Sequence, residues 1–159
     1  MPQDESQETK DLRRQMREGR TPLLQTIKEA YPPFLLAKKA LGRKNAEVRE
    51  QLGLLNRNFA GSIKTLRESD KDSNGSGEEV ILAYQEMAKQ ARAVADFIDK
   101  ELPGLQKLFK PVGDKYAAYG GALEAYNTYM QQFVGKLPDG DTSGRALKLV
   151  QEEIERSLR

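Results

Sequence analysis

The sequence predicts an all-α protein, an antiparallel helical bundle of four to five main helices, some kinked or broken at proline. Three observations carry this. Apolar residues recur at spacings of three and four through most of the chain. No stretch of adequate length alternates with period two, and no hairpin dipeptide sits between β-rich runs. Proline, glycine and short polar clusters punctuate the periodic stretches where helices would start or stop. A chain of 159 residues can bury about 70% of the surface its unfolded form exposes. Residues 10–159 are therefore expected to fold as a single helical-bundle domain, with polar loops near 70–77 and 138–144.

Residues 1–9 are polar and are expected to be a disordered tail. Residues 10–18 suit a short helix with Leu12 and Met16 inside, ended by Gly19. Thr21-Pro22 reads as an N-cap followed by proline at the first helical position. Leu23, Leu24, Ile27 and Tyr31 give the next helix its apolar face. Pro32-Pro33 should break or kink it, because proline removes a donor and restricts the residue before it. Phe34, Ala37 and Leu41 continue the stripe to Gly42, a plausible helix end.

Asn45 can cap a helix whose seam is Val48, Leu52, Leu55, Phe59 and Leu66, with Ser62 and Ile63 sharing one slot. After a polar loop, Glu78 and Glu79 suit a helix N-terminus. Val80, Tyr84, Met87, Ala91, Val94 and Ile98 then form one stripe. Ile81, Ala88, Ala95 and Leu102 form a second beside it. A helix with two adjacent stripes usually contacts more than one neighbour.

From Leu102 one heptad frame runs to Leu137. Leu102, Phe109, Tyr116, Leu123, Met130 and Leu137 take its a positions. Leu105, Val112, Tyr119, Tyr126 and Phe133 take its d positions. Pro111 and Gly113 inside the frame predict a kink or two helices. Beyond Pro138, Ser143 is placed to cap a last helix carrying Leu147, Val150, Ile154 and Leu158.

The composition excludes much chemistry. There is no Cys and no His. Thiol nucleophiles, Ser-His dyads and imidazole or thiolate metal sites are gone, and with them the usual switch near neutral pH. No phosphate-binding fingerprint occurs. No enzyme and no cofactor are expected. A net charge of +2 is too small to call for nucleic acid. No apolar run approaches the length of a membrane span. The N-terminus lacks an apolar signal region, which favours the cytoplasm unless a leader has been removed.

Three stretches are candidate sites. In DKDSNGSGEE, Asp70, Asp72, Asn74 and Gly75 stand at the first offsets of a calcium loop. Ile81 occupies the place of the closing carboxylate, so no metal site is expected and these are weak candidates. DGDTSG repeats the half-match at Asp139 and fails at Val150. In YPPFLLAKKALGRK, Lys38, Lys39, Arg43 and Lys44 form a basic cluster beside an apolar run. It suits an acidic partner, anionic lipid or phosphate, or only a solvated helix end. Residues 114–133 hold Tyr116, Tyr119, Tyr126 and Tyr129, a core stripe or an aromatic patch. Gly120-Gly121 within it suggests close helix packing.

The expected function is that of a non-enzymatic interaction or adaptor module binding another protein or itself, with homo-oligomerisation open. Lys38, Lys39, Arg43, Lys44 and Tyr129 are the candidate partner surface. The alternatives are a ligand- or calcium-sensing bundle, and a peripheral binder of anionic membrane or nucleic acid through residues 38–44.

Overall fold

The computed structural model describes residues 5–73 and 77–159, apart from the side chains of residues 72 and 73. It is all-α and 91% helical, with no strand among the described residues. The helices are α1 (Gln7–Ser73), α2 (Glu78–Gln131), the single-turn α3 (Asp139–Thr142) and α4 (Arg145–Ser157). Only three of them exceed one turn, fewer than the four to five expected.

The difference lies at proline and glycine, which do not end these helices. Pro22, Pro32 and Pro33 sit inside α1, and Pro103 and Pro111 sit inside α2. Each leaves the carbonyl four residues earlier without its helical donor. Those carbonyls belong to Glu18, Lys28, Glu29, Asp99 and Lys107, all exposed residues, so water can serve them and the helix continues. Gly19 and Gly42 likewise lie mid-helix rather than at helix ends. At the other extreme, α1 starts inside the segment expected to be a tail. The Ser6 hydroxyl accepts the Thr9 amide at 3.2 Å, and Arg13 ties back to Glu5 at 2.5 Å.

The chain divides into two compact units. Unit 1 comprises Met1–Lys39 and Lys110–Arg159; unit 2 comprises Ala40–Phe109.

In unit 1, segments of α1, α2 and α4 surround one core. Its buried centre holds Met16, Ile27 and Tyr31 from α1, and Tyr119, Ala122, Tyr126 and Met130 from α2. Phe133 and Leu137 close it through a turn in which Gly135 adopts φ 81°, a left-handed conformation that suits glycine. Leu147, Val150 and Ile154 bring α4 onto the same core, as its spacing predicts. Gly144, not Ser143, is the N-cap of α4. The Ser143 hydroxyl instead donates to the Gly140 carbonyl at 3.0 Å.

The tyrosines separate by depth. Tyr119 stacks on Tyr31 with ring centroids 4.4 Å apart and lies parallel to Phe34 at 5.8 Å. Tyr116 remains 62% exposed, touching Phe34 only from the rim. Burial forces the hydroxyls to find partners. Tyr31 donates to Glu155 at 2.5 Å, and Gln151 donates to the Tyr119 oxygen at 2.5 Å. Tyr129 donates to the Gln15 carbonyl at 2.8 Å. Gly19 makes that last approach possible, since a Cβ there would collide with the Tyr129 hydroxyl. Only the Tyr126 hydroxyl is buried without a partner among the described residues. Burial raises the pKa of all three core tyrosines, Tyr31, Tyr119 and Tyr126, above the ordinary 10.0.

In unit 2, α1 and α2 pack along each other. The α1 seam is as predicted: Val48, Leu52, Leu55, Phe59, Ile63 and Leu66 are half-buried, and Ser62 takes the buried slot. Its hydroxyl donates to the Phe59 carbonyl at 2.6 Å. The α2 seam differs from the predicted one. Val80, Met87 and Val94 point inward, but the positions between them are Ala83, Gln90 and Phe97, not Tyr84, Ala91 and Ile98. Apolar periodicity preferred Ala91 to Gln90, whereas packing places the glutamine half inside with its amide on Glu86 at 2.8 Å. From Leu102 onward the a positions Leu102, Phe109 and Tyr116 are exposed. The d positions from Leu105 to Phe133 remain at least half-buried. An α-helix of 3.6 residues per turn drifts out of a strict seven-residue frame.

Glycine positions separate the two packing roles. Nothing lies within 4 Å of a Cβ built on Gly120 or Gly121, so close helix approach does not explain that pair. Substituting either with alanine should stabilise the fold by about 0.5–1 kcal/mol. Gly19→Ala should cost about 1–3 kcal/mol by overpacking against Tyr129. Chemical denaturation of the three variants checks both signs.

Tyr126→Phe removes a buried hydroxyl that lacks a partner, and should raise stability by about 1 kcal/mol. Tyr31→Phe loses the bond to Glu155 and should lower it by a similar amount. Equal losses in the two variants, measured by urea unfolding, would contradict this assignment.

Candidate interaction surface

The four residues of the basic cluster have different surroundings. Lys38 and Lys39 belong to unit 1, Arg43 and Lys44 to unit 2. Lys38 and Lys39 are exposed and border a shallow cleft of about 350 Å³ formed with Leu35, Leu36, Glu155 and Leu158. The Lys39 ammonium reaches the Leu158 carbonyl at 3.5 Å. Arg43 is exposed. Lys44 is committed internally, its ammonium meeting the Glu101 carboxylate at 2.5 Å. This contact ties the α1 and α2 segments of unit 2 across their seam. The hydrogen bond and charge of Lys44 hold the Glu101 carboxyl below its ordinary 4.5. Glu101 reciprocally raises Lys44. The spacing carries a faint trace of the pair, because Lys44 and Glu101 both fall on inward-facing turns.

Tyr129 is spent inside unit 1. It is half-buried, its hydroxyl serves Gln15, and its ring meets Phe133 edge-on at 5.3 Å.

Of the calcium-loop residues, Asp70 is exposed on the last turns of α1. The Asp72 side chain and Asn74 lie outside the described residues. In the second half-match, Asp141 accepts the Arg13 guanidinium at 3.0 and 3.1 Å, and Asp139 and Asp141 belong to helix α3 rather than to an open loop. Among the described residues no group of three or more acidic ligands converges. A cleft of about 250 Å³ near the start of α4 gathers Arg17, Arg20 and Arg145, with Asp141 already held by Arg13.

The surface that remains unexplained is on α2. Once Ala83, Gln90 and Phe97 are taken as the inward residues, Tyr84, Ala91 and Ile98 join Ile81, Ala88, Ala95 and Leu102 on one outer stripe. The spacing is alternately three and four, a heptad seam left exposed by the described residues. Ile81 is 59% exposed, Tyr84 54%, Ile98 42% and Leu102 46%. Phe109, one heptad further, is 55% exposed. Beside the alanines lies a shallow groove edged by Gln85, Lys89, Arg92 and Asp96. The second stripe was visible in the sequence as Ile81, Ala88, Ala95 and Leu102. Its other half was assigned to the inner seam, one residue out of register.

Comparison with protein-family models, with curated proteins and with solved structures gives no match.

The Lys44–Glu101 contact generates a pH prediction. A carboxylate whose folded pKa lies below its unfolded value stabilises the fold above the unfolded value and loses that contribution as pH falls through the folded one. Glu101→Gln should therefore melt a few degrees lower than the natural chain at pH 7, and the gap should narrow as pH falls below 4.5. Thermal melts followed by circular dichroism at both pH values check this. A gap that persisted at acid pH would mean the ion pair is not its source.

Proposed function

We propose that the chain is a helical interaction module whose docking surface is the outer stripe of α2. The observation that carries this is the unpartnered heptad seam from Ile81 to Leu102, with its large side chains 42–59% exposed. Single exposed apolar residues are common on protein surfaces and need no explanation, but a contiguous apolar row does. Heptad spacing is the geometry by which one helix receives another as knobs into holes. The absence of Cys and His favours binding over catalysis. The basic cluster is a weaker surface in this reading, because Lys44 already has a partner.

The test compares two variants that leave the inner seams alone. One carries Ile81→Glu, Ile98→Glu and Leu102→Glu; the other carries Lys38→Gln, Lys39→Gln and Arg43→Gln. Each is used as tagged bait in its native cell, after circular dichroism shows unchanged helicity. The stripe variant should lose at least tenfold of the material that the natural chain recovers, and the cluster variant should retain it. Equal recovery by the stripe variant would remove the outer stripe as the docking surface.

A further inference from the structure

The outer stripe reads nearly the same in both directions. Ile81 and Tyr84 stand at one end, Ile98 and Leu102 at the other, with Ala88, Ala91 and Ala95 between them. A stripe that is large at both ends and small in the middle is matched by a reversed copy of itself. The alanines permit close approach of two backbones at the centre, and the large residues fill the space on either side.

The charges along one flank change sign between Arg92 and Asp96, close to the middle of the stripe. Lys89 and Arg92 lie on its N-terminal side, Asp96 and Asp99 on its C-terminal side, and all four are exposed. None of the four makes an ion pair or a side-chain hydrogen bond among the described residues. In a parallel pairing this flank would face the opposite flank of the partner helix, where the inward Met87 and Val94 stand, and its charges would go unmatched. In an antiparallel pairing about residue 93, the acidic pair of each chain faces the basic pair of the other. Such an arrangement is isologous, the same patch serving both partners under two-fold symmetry. Flanking charges of this kind set orientation and partner choice in helix pairs.

We propose that the occupant of the outer stripe is a second copy of this chain, docked antiparallel through α2 about the Ala91–Ala95 centre. This rests on the reading of that stripe as the docking surface. It makes the protein a symmetric dimer in which each unit 2 is joined to its counterpart by one seam, built from the two outer stripes.

The experiment uses the full chain and two charge variants. Lys89→Asp with Arg92→Asp makes the flank wholly acidic; Asp96→Lys with Asp99→Lys makes it wholly basic. In sedimentation equilibrium the natural chain should form a concentration-dependent dimer. Each variant alone should dimerise at least tenfold more weakly, and an equimolar mixture of the two should recover the dimer. Because the chain has no cysteine, single thiols report orientation. A short bis-maleimide should join two copies of Ala91→Cys. It should not join Ile81→Cys, because the two positions would lie about 36 Å apart along the helix axes at 1.5 Å per residue. Equal cross-linking at both positions would overturn the antiparallel arrangement. A natural chain that stayed monomeric at all concentrations, while stripe-dependent recovery of a different protein persisted, would overturn self-pairing and leave the docking surface standing. No stripe dependence in either assay would remove both.

Discussion

One neighbouring helix covers only a strip of another, roughly two positions in every seven. Between residues 80 and 102, α2 carries apolar side chains on two such strips, and unit 2 supplies it with a single packing neighbour, the α1 segment. One strip must then stay outside. Val80, Ala83, Met87, Val94 and Phe97 go in, together with Gln90. Tyr84 and Ile98 stay out with Ile81 and Leu102. The exposed outer stripe of α2 descends from that shortage of covering surface.

Unit 1 shows the same helices with enough neighbours. There α4 adds a third wall, and the α2 aromatics that would otherwise lie open are sealed between Met16, Ile27 and Tyr31 on one side and Leu147, Val150 and Ile154 on the other. Tyrosine suits this position, because its ring fills core volume while its hydroxyl reaches a polar partner at the edge. Glu155, Gln151 and Gln15 are those partners. Each one links two helical segments, so the hydroxyls fix the angle and register of helices that apolar contacts alone would leave free to slide.

The charged residues divide in a similar way. Lys44 and Arg13 are consumed by Glu101, Glu5 and Asp141, and hold segments together. Lys89, Arg92, Asp96 and Asp99 make no ion pair among the described residues. Their order along α2, two basic residues and then two acidic ones about an alanine centre, gives the exposed stripe a direction as well as an apolar surface. A stripe without flanking charges would bind helices in either orientation.

The helical class, the seam of α1 in unit 2 and the apolar face of α4 were legible in the sequence, since each rests on local periodicity that a single neighbour satisfies. Helix boundaries were not. A proline or glycine states a local cost, and whether the helix stops there depends on solvent reaching the freed carbonyls and on the core buried to either side, as at Pro22, Pro32 and Pro33. The role of Gly19 was equally hidden, because the side chain it admits, Tyr129, lies more than a hundred residues away. The register of α2 was ambiguous by one residue for a definite reason. Both Tyr84–Ala91–Ile98 and Ala83–Gln90–Phe97 complete a seam with Val80, Met87 and Val94, and composition favours the first. Only the packing of α2 against α1 decides for the second, and in doing so it turns the first into an exposed surface. The sequence by itself determined that α2 has more apolar face than one neighbour can cover; the tertiary structure decided which face is left over, because burial is a property of the neighbour and not of the helix.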